Sequence, residues 1–507
     1  MNTPDWLSRN VSKLLPNSQV GAASPDVKIA SSAIKNMAST KVNEKSGDKS
    51  ASQPVAAEKT TLRTTRERLQ GTLKRQQEAL SPRVLRRMLD ELKAIVDPRV
   101  SEVEGGRRAK EVAQWYAQAT LAQRRDCWLL MSEQFMANPA IAKTAQAQYA
   151  AAVGTPEEAV AEVRLRKSTV SPRRRLLQRF SVFSEGIQFL VNMRAEILPF
   201  LKTDKSLLAL DVEMEYMFST WFDVGFLELR RISWDSPASM IEKLIKYEAV
   251  HDIKSWADVK NRLDSDRRCY GFFHPRLPDE PLIFVEVALL NDIADSITPL
   301  LDESADAVDL KKATTAIFYS ISNTQSGLRG VSFGDSLIKN VVETLKTEFP
   351  RLKTFSTLSP IPGFRAWLAK NATGLLDQLD EKNRQKLGQA MKVEQPTAEL
   401  FLAAVDRPLE LDVKSPISHM LLRCAAHYLG RELRDGAPVD AVARFHLGNG
   451  ARIERLNWAG DPSGKGLKQS YGLMVNYLYD LRKLDKHRAL LAQGKVPVSG
   501  GIEDLYI

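Results

Sequence analysis

Residues 322–334 have the composition of a loop that could hold a phosphate group. Gly327, Gly330 and Gly334 let the backbone approach a ligand closely, and amides at the start of the following helix carry a partial positive charge. The loop lacks the Gly-Lys-Ser/Thr of a nucleotide P-loop and the Gly-x-Gly-x-x-Gly of a dinucleotide-binding fold. Spacing alone leaves two interpretations open, a phosphate cradle and an ordinary tight turn.

Two serines lie near the end of the predicted strand 353–359, which Pro360 and Pro362 follow. The prolines fix φ and remove amide donors, so we expect the strand end to splay from its neighbour and open a slot in the sheet. Ser356 and Ser359 would place hydroxyls beside this slot. Each hydroxyl could serve catalysis or only satisfy backbone groups, as serines at strand ends commonly do.

His446 is the third residue that could do chemistry. It precedes Gly448-Asn449-Gly450, and we predict that residues 445–447 form the first strand of a hairpin whose second strand is 451–458. A lone histidine on a strand is commonly structural, but one that faces Ser356 could hold or exchange a proton near neutral pH. The predicted catalytic pair is therefore Ser356 and His446.

Other chemistries find no support in the spacing. The three cysteines lie far apart without a Cys-x-x-Cys pair, so neither a disulfide framework nor a zinc site is predicted. His419 and His427 have no carboxylate at ligand spacing, and no metal site is predicted there either.

The elements that position these residues fall into two regions. Residues 61–205 show helical periodicity, as in Leu85, Met88, Leu89 and Leu92, without a strand signal. After residue 206, short β-like runs alternate with helices. Strands are predicted at 269–273, 282–290 and 316–322, with a helix at 335–349. The sequence therefore predicts an α+β protein with an all-helical domain at 61–205 and a sheet-containing domain at 206–495.

The two ends of the chain are predicted to be tails. Residues 1–60 are rich in Ser, Ala, Lys, Asn and Thr and poor in large apolar residues, which is typical of a mobile segment. This segment has a single arginine, Arg9, among several acidic residues, which disfavours a mitochondrial presequence. Residues 496–507 are predicted to form a short C-terminal tail.

Composition excludes several classes of protein. The chain has 507 residues, 43% of them hydrophobic, enough for two or three domains with real cores. No stretch approaches the roughly 20 apolar residues of a membrane span. The net charge of +10 comes from residues 61–205, whose densest basic run at 164–179 has no aromatics that could stack bases, so no nucleic-acid partner is predicted. That run is either a solvated face or interface rim, or it attracts an anionic ligand or partner.

Four strings in one order carry a resemblance to a known family. They occupy residues 322–331, 357–364, 445–451 and 471–477. Together they resemble malonyl-CoA decarboxylase, over about residues 65–490. The resemblance implies a helical N-terminal domain followed by a catalytic mixed-sheet domain with the acetyltransferase (GNAT-like) fold. It also implies conversion of malonyl-CoA to acetyl-CoA and carbon dioxide in fatty acid metabolism, with no cofactor beyond the CoA thioester substrate, and assembly as a homo-oligomer, a dimer or tetramer.

The resemblance also assigns roles to residues. The catalytic residues, which also contact substrate, would be Ser356 and His446. The CoA-binding loop would comprise Gln325, Ser326, Gly327, Leu328, Arg329, Gly330, Val331 and Ser332. The loop departs from the Gln/Arg-x-x-Gly-x-Gly/Ala form of ordinary acetyltransferases. The C-terminal residues 504–507 are not a Ser-Lys-Leu-type peroxisomal address, which leaves a bacterial cytoplasm, the predicted location, or a mitochondrial matrix.

The predicted mechanism passes through an enolate. Backbone donors would stabilise the thioester oxygen as charge develops, and the Ser/His pair would deliver the proton to the α-carbon. Two alternatives stay open: an acyl-CoA-dependent acyltransferase of the same fold, which would need a second, acceptor pocket, and a non-catalytic interaction protein with a vestigial CoA site. Release of carbon dioxide without an acceptor would separate the three.

Overall fold

The computed structural model describes residues 79–331 and 337–506. The predicted N-terminal tail, residues 1–60, and residues 61–78 lie outside the described part of the chain, as does Ser332 in the predicted CoA loop. Contacts divide the chain into two compact units that meet in sequence at Arg179 and Phe180.

The first unit is helical throughout its described residues. Its helices are α1 (Pro82–Val96), α2 (Glu102–Gln118), α3 (Leu121–Gln134), α4 (Pro139–Ala152), α5 (Glu158–Thr169) and α6 (Pro172–Phe180). Helix α1 buries Leu85, Met88, Leu89 and Leu92, the face that the periodicity predicts. Thr120 forms a capping box with Gln123 that starts α3.

The second unit begins with two further helices, α7 (Gly186–Ile197) and α8 (Leu208–Trp221), before the first strand, β1 (Glu228–Ile232). Helical structure thus continues past the boundary that we predicted at residue 205. The sequence pattern does not reveal α8 because apolar residues lie on more than one face of this helix. Leu210 and Met214 are buried, whereas Val212 and Tyr216 are exposed. Its amphipathic period is correspondingly weak.

A mixed sheet forms the centre of the second unit. Its other strands are β2 (Arg267–His274), β3 (Leu277–Leu290), β4 (Thr315–Asn323), β5 (Thr354–Thr357), β6 (Ser359–Pro360), β9 (Arg452–Asn457) and β10 (Met474–Leu478), while β7 (Leu433–Arg434) and β8 (Ala437–Pro438) form a separate pair. The order is β1-β2-β3-β4-β5-β10, with β6 and β9 also paired to β10. Among the paired strands of the described residues, β4 and β5 are the one parallel pair. The three strands predicted before residue 323 are confirmed.

Helices complete the second unit. They are α9 (Ala238–Tyr247), α10 (Trp256–Arg262), α11 (Thr298–Leu301), α12 (Leu337–Glu348), α13 (Phe364–Asp377), α14 (Glu381–Met391), α15 (Ala398–Ala404), α16 (Pro416–Gly430), α17 (Ala441–Gly448), α18 (Gly464–Ser470), α19 (Leu484–Ala492) and α20 (Gly500–Glu503). The predicted α+β class, a helical region followed by a mixed sheet, is confirmed. Across the described residues, no helix combines the length and apolar character needed to cross a bilayer.

The predicted hairpin at residues 445–458 is wrong in its first half. Residues 445–447 belong to helix α17, and β9 pairs with β10 instead. The carboxylate of Asp440 caps α17 by accepting the amides of Val442 and Ala443, both at 2.9 Å. The Gly-Asn-Gly sequence ends a helix, with Gly450 at φ +84°, and does not form a two-residue turn.

The predicted C-terminal tail is packed onto the sheet. Val498 forms a parallel bridge with Ile453 of β9, and the Ser499 amide donates to the Ile453 carbonyl at 2.8 Å. Ile502 in α20 is buried. These contacts make residues 496–506 part of the sheet domain.

The sheet opens between β4 and β5, as the prolines predict. Parallel pairing ends at Phe318 and Thr357, and the Leu358 amide then donates to the Phe318 carbonyl at 3.0 Å. Strand β4 continues to Asn323 without pairing to β5, whereas Ser359 and Pro360 pair with β10. The free half of β4 is about 16 Å long at 3.3 Å per residue.

Candidate active site

His446 lies in the last turn of the capped helix α17 and is almost fully buried. Burial is the only cause that shifts its pKa, and it lowers the pKa to about 3. A buried imidazole without a counter-charge loses its proton because the charged form cannot be solvated. The ring is therefore neutral at physiological pH.

Both ring nitrogens of His446 have hydrogen-bond partners. Nδ1 lies 2.7 Å from the hydroxyl oxygen of Tyr479, and Nε2 lies 3.3 Å from Oγ of Ser359. Ser359 Oγ in turn donates to Oγ1 of Thr357 at 2.8 Å. A neutral imidazole has one donor and one acceptor nitrogen, so these groups form a directional chain that can pass a proton.

Aromatic rings enclose the imidazole. The Tyr477 ring stacks on His446 with centroids 4.7 Å apart and an interplanar angle of 25°. Tyr479, the residue after the end of β10, meets the imidazole at 73°, and Phe445 packs against it at 76°. Alternation along a strand places Tyr477 and Tyr479 on one face of the sheet. This surround excludes water from His446.

The structure does not form the predicted hydrogen bond between Ser356 and His446. Ser356 is fully buried, and its Oγ donates to the carbonyls of Tyr477 at 3.2 Å and Thr357 at 3.4 Å. Ser356 and Ser359 are an odd number of residues apart, so an extended chain directs them to opposite faces of the sheet. His446 packs on the Ser359 side. The catalytic roles of Ser356 and His446 stay predictions.

A buried amide network holds the end of β5 in place. Asn476 Nδ2 donates to the carbonyls of Thr357 at 2.7 Å and Ala294 at 2.9 Å, and Asn457 Nδ2 donates to Asn476 Oδ1 at 2.9 Å. These bonds bridge β9, β10, β5 and the segment after β3. They fix the backbone from which Ser359 projects.

The predicted CoA loop follows the free half of β4. Residues Ser326–Leu328 form one 3₁₀ turn, and Gly330 has a left-handed φ of +86°. The amides of Ser326 and Gly330 have no hydrogen-bond partner within the described residues. Of the predicted loop residues, Ser326, Arg329 and Gly330 are exposed, whereas Gln325, Gly327, Leu328 and Val331 are buried.

Gly327 is needed for close packing against α7. A Cβ there would lie 1.9 Å from the Val191 carbonyl oxygen of α7. A Cβ at Gly330 would meet only the Glu215 carboxylate, at 3.5 Å, an ordinary contact. The roles of both glycines in CoA binding stay predictions.

The loop and the His446 cluster lie at the same edge of the sheet. Strands β4 and β5 are parallel, so their carboxyl ends, at Asn323 and Thr357, point the same way. The loop extends from the first and Ser359 from the second, with the opening of the sheet between them. An extended ligand anchored at the loop could follow the free half of β4 towards Ser359.

Two family profiles match the chain. The malonyl-CoA decarboxylase C-terminal domain matches residues 225–506, and the N-terminal domain of the same family matches residues 135–222. The chain belongs to the malonyl-CoA decarboxylase family. The resemblance noted from the four sequence strings is thereby confirmed.

Relatives in the malonyl-CoA decarboxylase family include mitochondrial enzymes of animals. The chain is 38% identical to the malonyl-CoA decarboxylase of Anser anser anser over 336 residues, 63% of this chain and 66% of that relative. It is 39% identical to that of Mus musculus over 340 residues, 64% of this chain and 68% of that relative. These matches thus span about two thirds of the relatives' own lengths.

Solved bacterial structures share the fold. The malonyl-CoA decarboxylase of Rhodopseudomonas palustris is 39% identical and superposes with a TM-score of 0.71, covering 83% of this chain and 99% of that one. That of Cupriavidus metallidurans is 40% identical with a TM-score of 0.68, covering 83% of this chain and 100% of that one.

Sequence reasoning missed several residues around His446. Tyr479 bonds the imidazole, Thr357 bonds Ser359, and Asn476 holds the backbone of this cluster. The alternation Asn-Tyr-Leu-Tyr at 476–479 marks a strand with two aromatic residues on one face, which could have drawn attention to Tyr479. Nothing local marks Thr357, because its role depends on the fold.

Proposed function

We propose that this chain converts malonyl-CoA to acetyl-CoA and carbon dioxide, with His446, Ser359 and Tyr479 as the reacting cluster. Membership of the malonyl-CoA decarboxylase family supports the reaction. The observation that carries the residue assignment is the hydrogen-bonded chain from Tyr479 through His446 to Ser359 at the opening of the sheet. The reaction would consume malonyl-CoA, a step of fatty acid metabolism.

The CoA moiety would lie along the loop and the free half of β4. Exposed amides at Ser326 and Gly330 and the side chain of Arg329 suit a pyrophosphate. The amides of the pantetheine arm could pair with the unpaired edge of β4, much as a peptide adds to a sheet. This arrangement would direct the thioester towards Ser359.

Loss of carbon dioxide leaves an enolate at the thioester, so donors aimed at the thioester oxygen lower the barrier. The Ser359 hydroxyl would donate its proton to the α-carbon. As that proton leaves, the proton on Nε2 of His446 moves onto Oγ of Ser359, and the hydroxyl proton of Tyr479 moves towards Nδ1. Decarboxylation takes up one proton, so the chain is reloaded from solvent before the next turnover.

The neutrality of His446 favours this reaction. A cation beside the malonyl carboxylate would stabilise the ground state and oppose its conversion to uncharged carbon dioxide. No charged group contributes to the lowered pKa of His446, and the rings of Tyr477 and Phe445 cover it. The cluster would therefore supply a proton without holding the carboxylate in place.

The direct test is release of labelled carbon dioxide from malonyl-CoA labelled in its free carboxylate, with no acyl acceptor present. We expect stoichiometric carbon dioxide and acetyl-CoA, with no free CoA thiol. An acyltransferase would release free CoA only when an amine is added, and an interaction protein would release neither product. Either result would refute the proposal.

The chain would also assemble as a homo-oligomer, a dimer or tetramer. Within the described residues, α4 buries only Ala145 and α5 only Ala161, and the two helices expose Ile141, Val160 and Val163. Such a hairpin gains stability if a second copy covers its apolar side chains. We place the protein in a bacterial cytoplasm, with a mitochondrial matrix as the alternative.

A further inference from the structure

Arg194 of α7 reaches the predicted CoA loop from inside the protein. Its side chain is only 2% exposed. One terminal nitrogen, Nη1, donates to the carbonyls of Gly327 at 2.9 Å and Arg329 at 2.8 Å. Arg194 therefore binds the backbone of the loop at two peptide groups.

The rest of the guanidinium is held by carboxylates of α8. Nε donates to Asp211 at 2.8 Å, and Nη2 donates to Glu215 at 3.1 Å. A planar guanidinium with partners on three of its edges has little freedom to rotate. The carboxylates balance its charge and fix its orientation towards the loop.

This geometry determines where the amide of Gly330 points. In a trans peptide the carbonyl and the following N–H point in opposite directions. Because the Arg329 carbonyl points inward to Arg194, the Gly330 amide points outward, away from the guanidinium. Gly330 is exposed, and its amide has no partner within the described residues.

We propose that Arg194 is a positioning residue for the diphosphate of CoA: it turns the loop carbonyls inward so that the Gly330 amide faces the ligand. The inference rests on the proposed function, in which this loop binds CoA. Arg194 does not touch the phosphates. It acts through the peptide groups at Gly327 and Arg329, where a rotated peptide would present a carbonyl oxygen to an anion.

Arg194→Lys tests the role with least damage to the fold. A lysine keeps a positive charge beside Asp211, but a single ammonium cannot reproduce the guanidinium's contacts with two carbonyls and two carboxylates. We expect kcat/KM for malonyl-CoA to fall about tenfold to a hundredfold, the worth of one hydrogen bond to a charged group, through KM rather than kcat. With malonyl-pantetheine, which lacks the diphosphate, kcat/KM should stay unchanged.

Arg276→Lys is the matched control. Arg276 also donates to two backbone carbonyls, those of Ser181 at 2.8 Å and Phe183 at 3.2 Å, but neither belongs to the loop. This variant should leave the ratio of the two specificity constants unchanged. Calorimetry with free CoA and with pantetheine gives the same comparison without turnover, so the inference is tested even if the chain does not decarboxylate malonyl-CoA.

Equal losses of kcat/KM with malonyl-CoA and malonyl-pantetheine would mean that Arg194 only stabilises the fold. Unchanged affinity for CoA would mean that the loop keeps its binding conformation without Arg194. Either result overturns the inference. If Arg194→Lys does not fold, Asp211→Asn provides the second variant, because it weakens the contact that orients the guanidinium. The hold of Arg194 on the two loop carbonyls is then loosened while Arg194 itself stays in place. This variant should weaken the binding of CoA but not that of pantetheine. Equal weakening of both would contradict the inference.

Discussion

At the scale of single residues, Tyr477 affects the site through its ring rather than its hydroxyl. The hydroxyl is buried without a hydrogen-bond partner in the described structure, whereas the ring stacks on His446. We expect Tyr477→Phe to keep full kcat and equal or greater stability, because no hydrogen bond is lost. Tyr477→Leu should lower kcat about tenfold or more, since aromatic stacking is worth about 0.5 to 1.5 kcal/mol and leucine leaves the imidazole free to tilt. Comparable kcat in both variants would contradict a role for the ring.

The lowered pKa of His446 makes a prediction about stability. In the unfolded chain the imidazole titrates near its ordinary pKa of 6.5, whereas in the fold the pKa is about 3. The unfolded state therefore binds more protons between these values, so the stability contributed by neutral His446 is complete above pH 6.5 and is lost as pH falls towards 3. Other groups titrate too: His251, with a pKa of about 4, acts in the same direction, while the raised pKa of Glu286, about 8, acts oppositely between pH 4.5 and 8.

Comparison with His446→Gln isolates the contribution of His446, because the other groups cancel. Between pH 7.5 and pH 5 the free energy of unfolding of the parent should fall by about 2 kcal/mol relative to that of the variant. The slope is about 1.36 kcal/mol per pH unit below pH 6.5. Denaturant unfolding at the two pH values measures it. A difference independent of pH would show that His446 titrates normally in the fold.

At the scale of elements, the two glycines of the loop should respond differently to substitution. Gly330→Ala forces a side chain into a left-handed backbone conformation, at a cost of about 1 to 2 kcal/mol. Rotation of the loop would relieve this strain. We expect weaker CoA binding with little loss of thermal stability. Gly327→Ala places a Cβ against α7 and should lower the unfolding temperature more. Calorimetric titration of CoA and thermal unfolding of both variants test this difference. Equal losses of CoA affinity and of unfolding temperature in the two variants would contradict it.

The features of the fold that could be predicted from sequence are those set by neighbouring residues, and the features that were missed depend on residues far apart in the chain. The opening of the sheet follows from Pro360 and Pro362, which act on their own strand, and was predicted. Helix α17 was missed because its glycine-rich end resembles a hairpin turn. The signal for the helix was the N-cap residue Asp440 at its start. The strand partner of residues 452–457 comes from 474–478, which periodicity alone does not reveal.

The choice between Ser356 and Ser359 was also beyond sequence reasoning. Both serines lie near the opening, and only the packing of α17 on one face of the sheet selects Ser359. Arg194 was missed for a related reason. Its partners Gly327 and Arg329 lie more than 130 residues away in sequence.

At the scale of the whole molecule, the exposed helical hairpin α4–α5 predicts self-association. A charge placed on its apolar side chains, in the double variant Ile141→Asp with Val163→Asp, should lower the solution mass of the full chain, because burying unpaired carboxylates is costly. Val103→Asp on α2, a site that is 77% exposed, is the control and should not change the mass. Light scattering coupled to gel filtration measures both. A monomeric parent, or an unchanged mass in the double variant, would contradict the prediction.

The central claim is that the reacting hydroxyl belongs to Ser359, bonded to His446, and not to Ser356. Labelled carbon dioxide release from malonyl-CoA should be compared in the parent, Ser359→Ala and Ser356→Ala, with folding verified by thermal unfolding. We predict that Ser359→Ala lowers kcat by about 10² to 10⁴, the range for a positioned proton donor, while Ser356→Ala changes it by less than about tenfold. Near-normal turnover in Ser359→Ala, or a loss in Ser356→Ala as large as that expected for Ser359→Ala, would contradict the assignment.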